Sequence, residues 1–376
     1  MNFDFSDEQK QLRDEIRRFL GEACTSRQVR DVLEGKRIYD AEVWQGLAEL
    51  GVLGVAIPEN YGGTGAGYLE LCIVAEELGR ALAPVPYAST VYFAAELLLS
   101  AGSEAQKQRF LPRIAAGEAI GTVALIEASG DPTANSIRAT FKAGQVNGKK
   151  LLVPDGEIAD FAIVVARDGA SEDDAAIGLY LVDMTKAGVQ VEAVETVDPS
   201  RNHANVTFTN VAAEPLGDAG AGWGYLNAAL DRAAILTAFE QIGGADRALE
   251  AGRDYALDRM AFGRPIGSFQ AIKHMLADMY VAVTLARSNA YFGAWALSTN
   301  AAELAEAAAN ARVSATQAYQ LCAKNSMHVH GGMGFTWEFD CHLYYRRSNL
   351  LALSLGSPAM WENRLVDEMC KTRDAA

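Results

Sequence analysis

Residues 224–260, GYLNAALDRAAILTAFEQIGGADRALEAGRDYALDRM, run for 37 positions without a proline, with apolar side chains returning every three or four residues. That spacing is helical, and one helix of this length extends about 55 Å at 1.5 Å per residue. So long a rod buries its apolar stripe only against other long helices. The chain supplies them in FQAIKHMLADMYVAVTLARSNAYFGAWAL, AELAEAAANARVSATQAYQLCAKNSM and SPAMWENRLVDEMCKT, with short connections between. Residues 224–376 are therefore expected to form a C-terminal four-helix bundle.

Upstream the texture changes twice. Residues 121–223 carry short β-prone runs, FAIVVAR, IGLYLVDM, VQVEAVETV and ANVTFTNV, separated by Gly, Asp, Asn and Pro, and predict a middle β domain. Residues 1–120 return to helical spacing, as in SDEQKQLRDEIRRFL, where Ser6 is a candidate N-cap followed by Asp7 and Glu8, and in LELCIVAEELGRAL; they predict an N-terminal α-helical domain. Helices, then strands, then helices give an α+β class rather than an alternating βαβ chain. This weighs against reading PENYGGTGAG, residues 58–67, as a Rossmann glycine loop.

A net charge of -15 excludes a broad electrostatic grip on nucleic acid or an anionic membrane surface. Cys24, Cys72, Cys322, Cys341 and Cys370 show no CxxC spacing, so neither a disulfide framework nor a zinc ribbon is expected, and a reducing, cytoplasmic setting is. The N-terminus lacks the apolar core of a signal peptide, and no window offers the roughly twenty uncharged residues of a membrane span.

Three motifs carry chemistry. HVHGGMGFTWEFDCH, residues 328–342, has a histidine pair two apart but no acid or Cys at helical spacing from either, which disfavours metal. Its glycines end a helix in a turn, or admit close backbone approach of a ligand. RMAFGRPIGSFQAIKHMLADM, residues 259–279, sets Arg259 and Arg264 about a turn ahead of a helix starting near Gln270. Arginines beside a helix N-terminus suit a pyrophosphate, and equally make a solvated basic turn. ALIEASGDP, residues 124–132, is a ligand-facing loop or an ordinary Gly-Asp-Pro turn.

In order, FDFSDEQKQLRDEIRRFL, GVAIPENYGGTGAG, AEELGRAL, FLPRIAAGEAIGTVAL, YALDRMAFGRPIGSFQAIKHMLADM and MHVHGGMGFTWE resemble the acyl-CoA dehydrogenase family over almost the whole chain. The resemblance implies a helical domain, a β barrel and a four-helix bundle. It also implies FAD bound between subunits of a dimer or tetramer, oxidation of the Cα–Cβ bond of an acyl-CoA, and an electron-transfer acceptor. Carried over by position, Arg259, Phe262, Gln270, Gly331 and Gly332 serve the FAD of an adjoining chain. His328 stands where the family usually has Gln and keeps one hydrogen bond. Ser357 is a further cofactor position, and Asp231 and Arg232 fall near the CoA part of the substrate.

The departures are equally specific. Where the family carries a catalytic Glu in a YEGT-like stretch, this chain has Ser354, Leu355, Gly356 and Ser357. The family's alternative base location falls on Ala233 or Ala234. The flavin loop TEPxAGSD is shortened to IEASGDP, and the shielding WIT is replaced by LLV at Leu151 to Val153. Glu240 remains as the candidate catalytic carboxylate, either bordering the acyl cavity or acting as a structural acid. The pattern is similar to the smaller subunits of heteromeric bacterial acyl-CoA dehydrogenases acting on bulky or steroid-like acyl-CoA, in which a partner chain brings the base. A scaffold subunit, a homo-oligomer using Glu240, and a related flavin oxidase or monooxygenase are the alternatives.

Overall fold

The computed structural model describes residues 6–169 and 174–375. The N-terminal helices are α1 (Asp7–Ala23), α2 (Ser26–Leu33), α3 (Ala41–Glu49), α4 (Tyr68–Ala81), α5 (Ala95–Ala101) and α6 (Glu104–Ala115). α1 begins where the sequence spacing places it. Gln9 N–H donates to the Ser6 hydroxyl at 3.2 Å, and Ser6 N–H donates back to Gln9 Oε1 at 2.9 Å. This reciprocal box satisfies two otherwise orphaned donors. A π-helical turn, Ala88–Ala94, leads directly into α5.

Eight strands follow: β1 (Gly121–Ala124), β2 (Thr140–Lys142), β3 (Gln145–Pro154), β4 (Phe161–Asp168), β5 (Ile177–Asp183), β6 (Val189–Ala193), β7 (His203–Ala212) and β8 (Glu214–Leu216). They pair in the order β6-β7-β3-β2-β4-β5-β8, with β1 parallel to β4. The apolar run FAIVVAR makes β4 a strand buried on both faces, antiparallel to β5 with Phe161 opposite Asp183 and Arg167 opposite Ile177. Val146, Val153, Val164, Tyr180, Val206 and Phe208 form the core on one side of this sheet.

The chain then returns to helix: α7 (Gly222–Asp258), a hairpin of β9 (Met260–Ala261) and β10 (Arg264–Pro265), α8 (Gln270–Thr299), α9 (Leu304–His330), α10 (Cys341–Leu353) and α11 (Pro358–Ala375). Where α4 meets α7, glycines permit backbone contact. A Cβ at Gly79 would stand 1.8 Å from the Glu240 carbonyl oxygen, and one at Gly243 1.9 Å from that of Glu76. Residue contacts group the described parts of Met1–Val29, Leu69–Ala83 and Ala234–Ala376 into one compact unit, and Arg30–Tyr68 with Pro84–Ala233 into a second. Among the described residues no helix is long and apolar enough to cross a membrane.

Candidate active site

At one end of the bundle, α7 gives way to the β9–β10 hairpin. Arg259 N–H donates to the Tyr255 carbonyl at 2.8 Å, and its own carbonyl accepts from Ile266 N–H at 2.8 Å. The hairpin turns on Phe262 at φ 51° and Gly263 at φ 77°, which presents the Phe262 ring 96% exposed. Arg264 lies over the Phe269 ring at 4.1 Å, and Arg259 and Gln270 are solvent-exposed. No side chain caps α8 and no acid occupies its first turn. Its leading N–H groups and dipole therefore offer an anion site.

α9 ends against the last turn of α7, where Tyr255 stacks on His330 with ring centroids 4.2 Å apart. His330 Nδ1 contacts the Ser326 carbonyl at 2.7 Å, and burial lowers its pKa, so it serves as a core aromatic. His342 stacks on Trp337 at 4.7 Å, and among the described residues no cluster of His, Cys, Asp or Glu could hold a metal. His328 is exposed, and its carbonyl accepts from Gly331 N–H. Gly331, at φ 58° and ψ -138°, needs its glycine for conformation. Gly332 does not: its φ is not positive, and a Cβ there would meet nothing within 4 Å. Among the described residues no steric contact accounts for that glycine.

Deeper in the same unit, Glu240 on α7 is 1% exposed, with Arg347 of α10 at 3.7 Å. Arg347 also donates to the Leu82 carbonyl at 3.5 Å. Beside this pair, Arg312 donates to Gln241 Oε1 at 2.6 Å and to the carbonyls of Ser354, at 2.6 Å, and Leu351. Burial pulls the Arg312 guanidinium below its ordinary value, and the Glu240 charge opposes that pull. Arg312 thus fastens the turn Ser354–Ser357 from one side, and the Trp361 indole, donating to the Leu355 carbonyl at 3.2 Å, holds it from another. Within the turn Leu355 sits at φ 64°, a conformation costly for a non-glycine residue, and Ser357 Oγ caps α11 by accepting from Met360 N–H at 3.1 Å.

In the second unit, the loop IEASGDP and the segment Leu151–Val153 lie together, joined by Leu151 N–H donating to the Ile126 carbonyl at 2.7 Å. Glu127 accepts from the N–H groups of Arg138, at 2.7 Å, and Ala139, at 3.1 Å, and from the fully buried Lys150 at 2.5 Å. Desolvation drops the Lys150 ammonium to about 8 despite its partner. Leu152 (φ 49°) and Asp155 (φ 52°) both occupy left-handed backbone, and the Asp155 carboxylate accepts from Ser89 at 2.6 Å. Asp231 is buried; Arg232 is half-buried, its guanidinium 5.5 Å from the Tyr68 ring centroid.

Comparison with known proteins settles the family. Residues 6–118 match the model of the acyl-CoA dehydrogenase N-terminal domain and residues 220–369 that of the C-terminal domain. The chain belongs to the acyl-CoA dehydrogenase family. It is 35% identical over 366 residues to acyl-CoA dehydrogenase IpdE2 of Mycobacterium tuberculosis, covering 96% of this chain and 98% of that one. Its fold is similar to that of the Tcur3481-Tcur3483 steroid ACAD, with a TM-score of 0.89, 31% identity, and coverage of 98% and 99% of the two chains. It is also similar to the ChsE4-ChsE5 complex of Mycobacterium tuberculosis, with a TM-score of 0.88, 28% identity, and the same 98% and 99% coverage.

Membership makes the reaction class the oxidation of acyl-CoA thioesters and FAD the cofactor. The residues fit the dinucleotide part of FAD: an uncapped helix start, an exposed arginine before it, and open space beside Gly332. Family resemblance did not point to Glu96. The Tyr68 hydroxyl donates to it at 2.9 Å, and desolvation raises its pKa to about 7 against the opposing effects of Arg232 and that hydrogen bond. A lone charge within the apolar run FAAELLLSA was the available signal.

Proposed function

We propose that this acyl-CoA dehydrogenase chain is the base-lacking subunit of a two-chain enzyme. It completes the FAD site of a partner that supplies the catalytic carboxylate, and the pair acts on bulky, steroid-like acyl-CoA. The observation that carries the reading is the contrast between Leu355, in the turn where the family's Glu stands, and the dinucleotide-facing turn at Gly331 and Gly332. Glu240 does not supply the missing base in this reading, because its carboxylate lies in a buried ion cluster with Arg347. The steroid ACAD and the ChsE4-ChsE5 complex among the similar structures support both the two-chain assembly and the substrate class.

When bound, FAD would supply the hydride-accepting chemistry, and an electron-transfer acceptor is the expected redox partner of the assembly. The chain's own residues then have separable tasks. Arg259 and the open N–H groups at Gln270 neutralise and orient pyrophosphate. Gly331 and Gly332 let the dinucleotide lie against backbone, and the His328 imidazole offers one hydrogen bond in place of an amide. Phe262, projecting from its hairpin, buries apolar surface against the adjoining chain. Asp231 and Arg232 face the acyl-CoA.

The test is the visible spectrum of the chain purified alone and after co-expression with candidate partner dehydrogenase chains. The proposal expects a colourless protein that acquires FAD, and acyl-CoA-dependent bleaching, only in the complex. A yellow chain that bleaches alone sinks it. Glu240→Gln in the complex is expected to leave the reductive half-reaction rate unchanged; a large loss would return Glu240 to the role of base.

A further inference from the structure

A second buried carboxylate, which the proposed chemistry does not use, lies in the unit formed by Arg30–Tyr68 and Pro84–Ala233. Glu96 is 3% exposed in the first turn of α5, among Ala94, Ala95, Leu97 and Leu98, all buried. A leucine would pack such a site with no desolvation cost. The residues around Glu96 instead form a relay: Tyr68 at the start of α4 donates its hydroxyl to Glu96 Oε2 at 2.9 Å, and Arg232 of α7 stands with its guanidinium 5.5 Å from the Tyr68 ring. That distance is within cation–π range, so the ring supports the cation on one side while the carboxylate biases its charge.

The local backbone is built for this placement. The π-helical turn Ala88–Ala94 runs directly into α5 and so sets the angle at which Glu96 leaves the helix. A local packing rule broken at a single buried position is the usual mark of a functional constraint.

We propose that Glu96 and Tyr68 are positioning residues that hold Arg232 for an anionic group of the acyl-CoA ligand. The inference rests on the reading that this chain meets acyl-CoA. Arg232 is half-buried, so it keeps a surface for a ligand while its stem is fixed. The carboxylate is also a competitor. Ionised, it takes part of Arg232's field; protonated, it leaves that field to the incoming anion. The groups acting on Glu96 are Tyr68 from α4 and Arg232 from α7, and its titration lies near neutrality. Affinity for an anionic ligand is therefore expected to rise as pH falls from 8 to 6.

The anion is either a phosphate of CoA or a carboxylate on the acyl group. Calorimetric titration of the full chain, with its partner when the partner is needed for folding, separates them with three probes: free CoA, the pantetheine thioester of a dicarboxylic acid, and a neutral acyl-pantetheine. Arg232→Ala is expected to weaken one anionic probe by about tenfold or more, as loss of a charge-assisted hydrogen bond does, and to leave the neutral probe within about twofold. The affected probe names the source. Glu96→Gln, which keeps an acceptor for Tyr68, is expected to flatten the pH dependence and to give at pH 8 the affinity that the parent shows at pH 6. Should Arg232→Ala fail to fold, Arg232→Lys and Glu96→Gln carry the same test. Affinities for all three probes that stay at their parental values in Arg232→Ala, or a parental pH profile in Glu96→Gln, overturn the proposal while leaving the acyl-CoA reading intact. A parent protein and complex that bind neither CoA nor any thioester overturn both.

Discussion

Glu240 and Glu96 are the same residue type at nearly the same exposure, 1% and 3%, yet their surroundings give them opposite characters. Glu240 has a full counter-ion in Arg347 at 3.7 Å and the charge of Arg312 acting on it as well. Glu96 has a neutral phenol as its hydrogen-bond donor, and the field of Arg232 together with that bond falls short of desolvation, which raises it to about 7. A buried carboxylate becomes structural when its charge is matched at short range. It stays titratable near neutrality when the match is partial.

The largest effect should come from unpairing the matched site. Glu240→Leu removes the carboxylate paired with the buried Arg347, and a loss of about 3–5 kcal/mol is expected from denaturant midpoints. The double variant Glu240→Leu, Arg347→Leu should recover most of that loss. If the double variant is no more stable than the single, the two charges do not compensate each other and the contrast with Glu96 collapses.

Next comes Glu96→Gln, followed as a function of pH. A carboxyl whose folded pKa is raised contributes stability that is fully present below about 4.5 and is lost as pH rises through about 7. At pH 5 the variant should therefore be close to the parent, and by pH 8 it should be the more stable by up to about 3 kcal/mol. Thermal or urea unfolding at the two pH values reads the difference; a pH-independent gap would mean that burial does not hold Glu96 near neutrality. Gain of stability with loss of the pH-dependent ligand affinity is the trade-off expected of a site kept for function.

Gly332→Ala is the smallest in stability and sharpens the comparison from outside both carboxylates. Because a Cβ meets nothing within 4 Å, unfolding should shift by no more than about 0.5 kcal/mol. FAD retention in the assembled enzyme should nevertheless fall, measured as absorbance per protein after gel filtration. Undiminished flavin content would remove Gly332 from the cofactor-facing turn.

By itself the sequence determined the helical and β periods, hence the α+β class, the β-prone run FAIVVAR, the Ser6 cap and the segments that mark the family. These follow from local rules, spacing every two or every 3.6 residues and the hydrogen-bonding habits of caps and glycines, which act within a few positions of the chain. It also raised the expectation that Leu355 stands where the family carries its Glu, because a departure within a motif is read from the residues alone. What only the tertiary structure decided is which charges meet. Glu240 finds Arg347 107 positions away, Tyr68 finds Glu96 28 positions away, and Lys150 finds Glu127 across a β domain. Coulomb and desolvation energies depend on distance in space and on burial, and neither is a function of sequence separation.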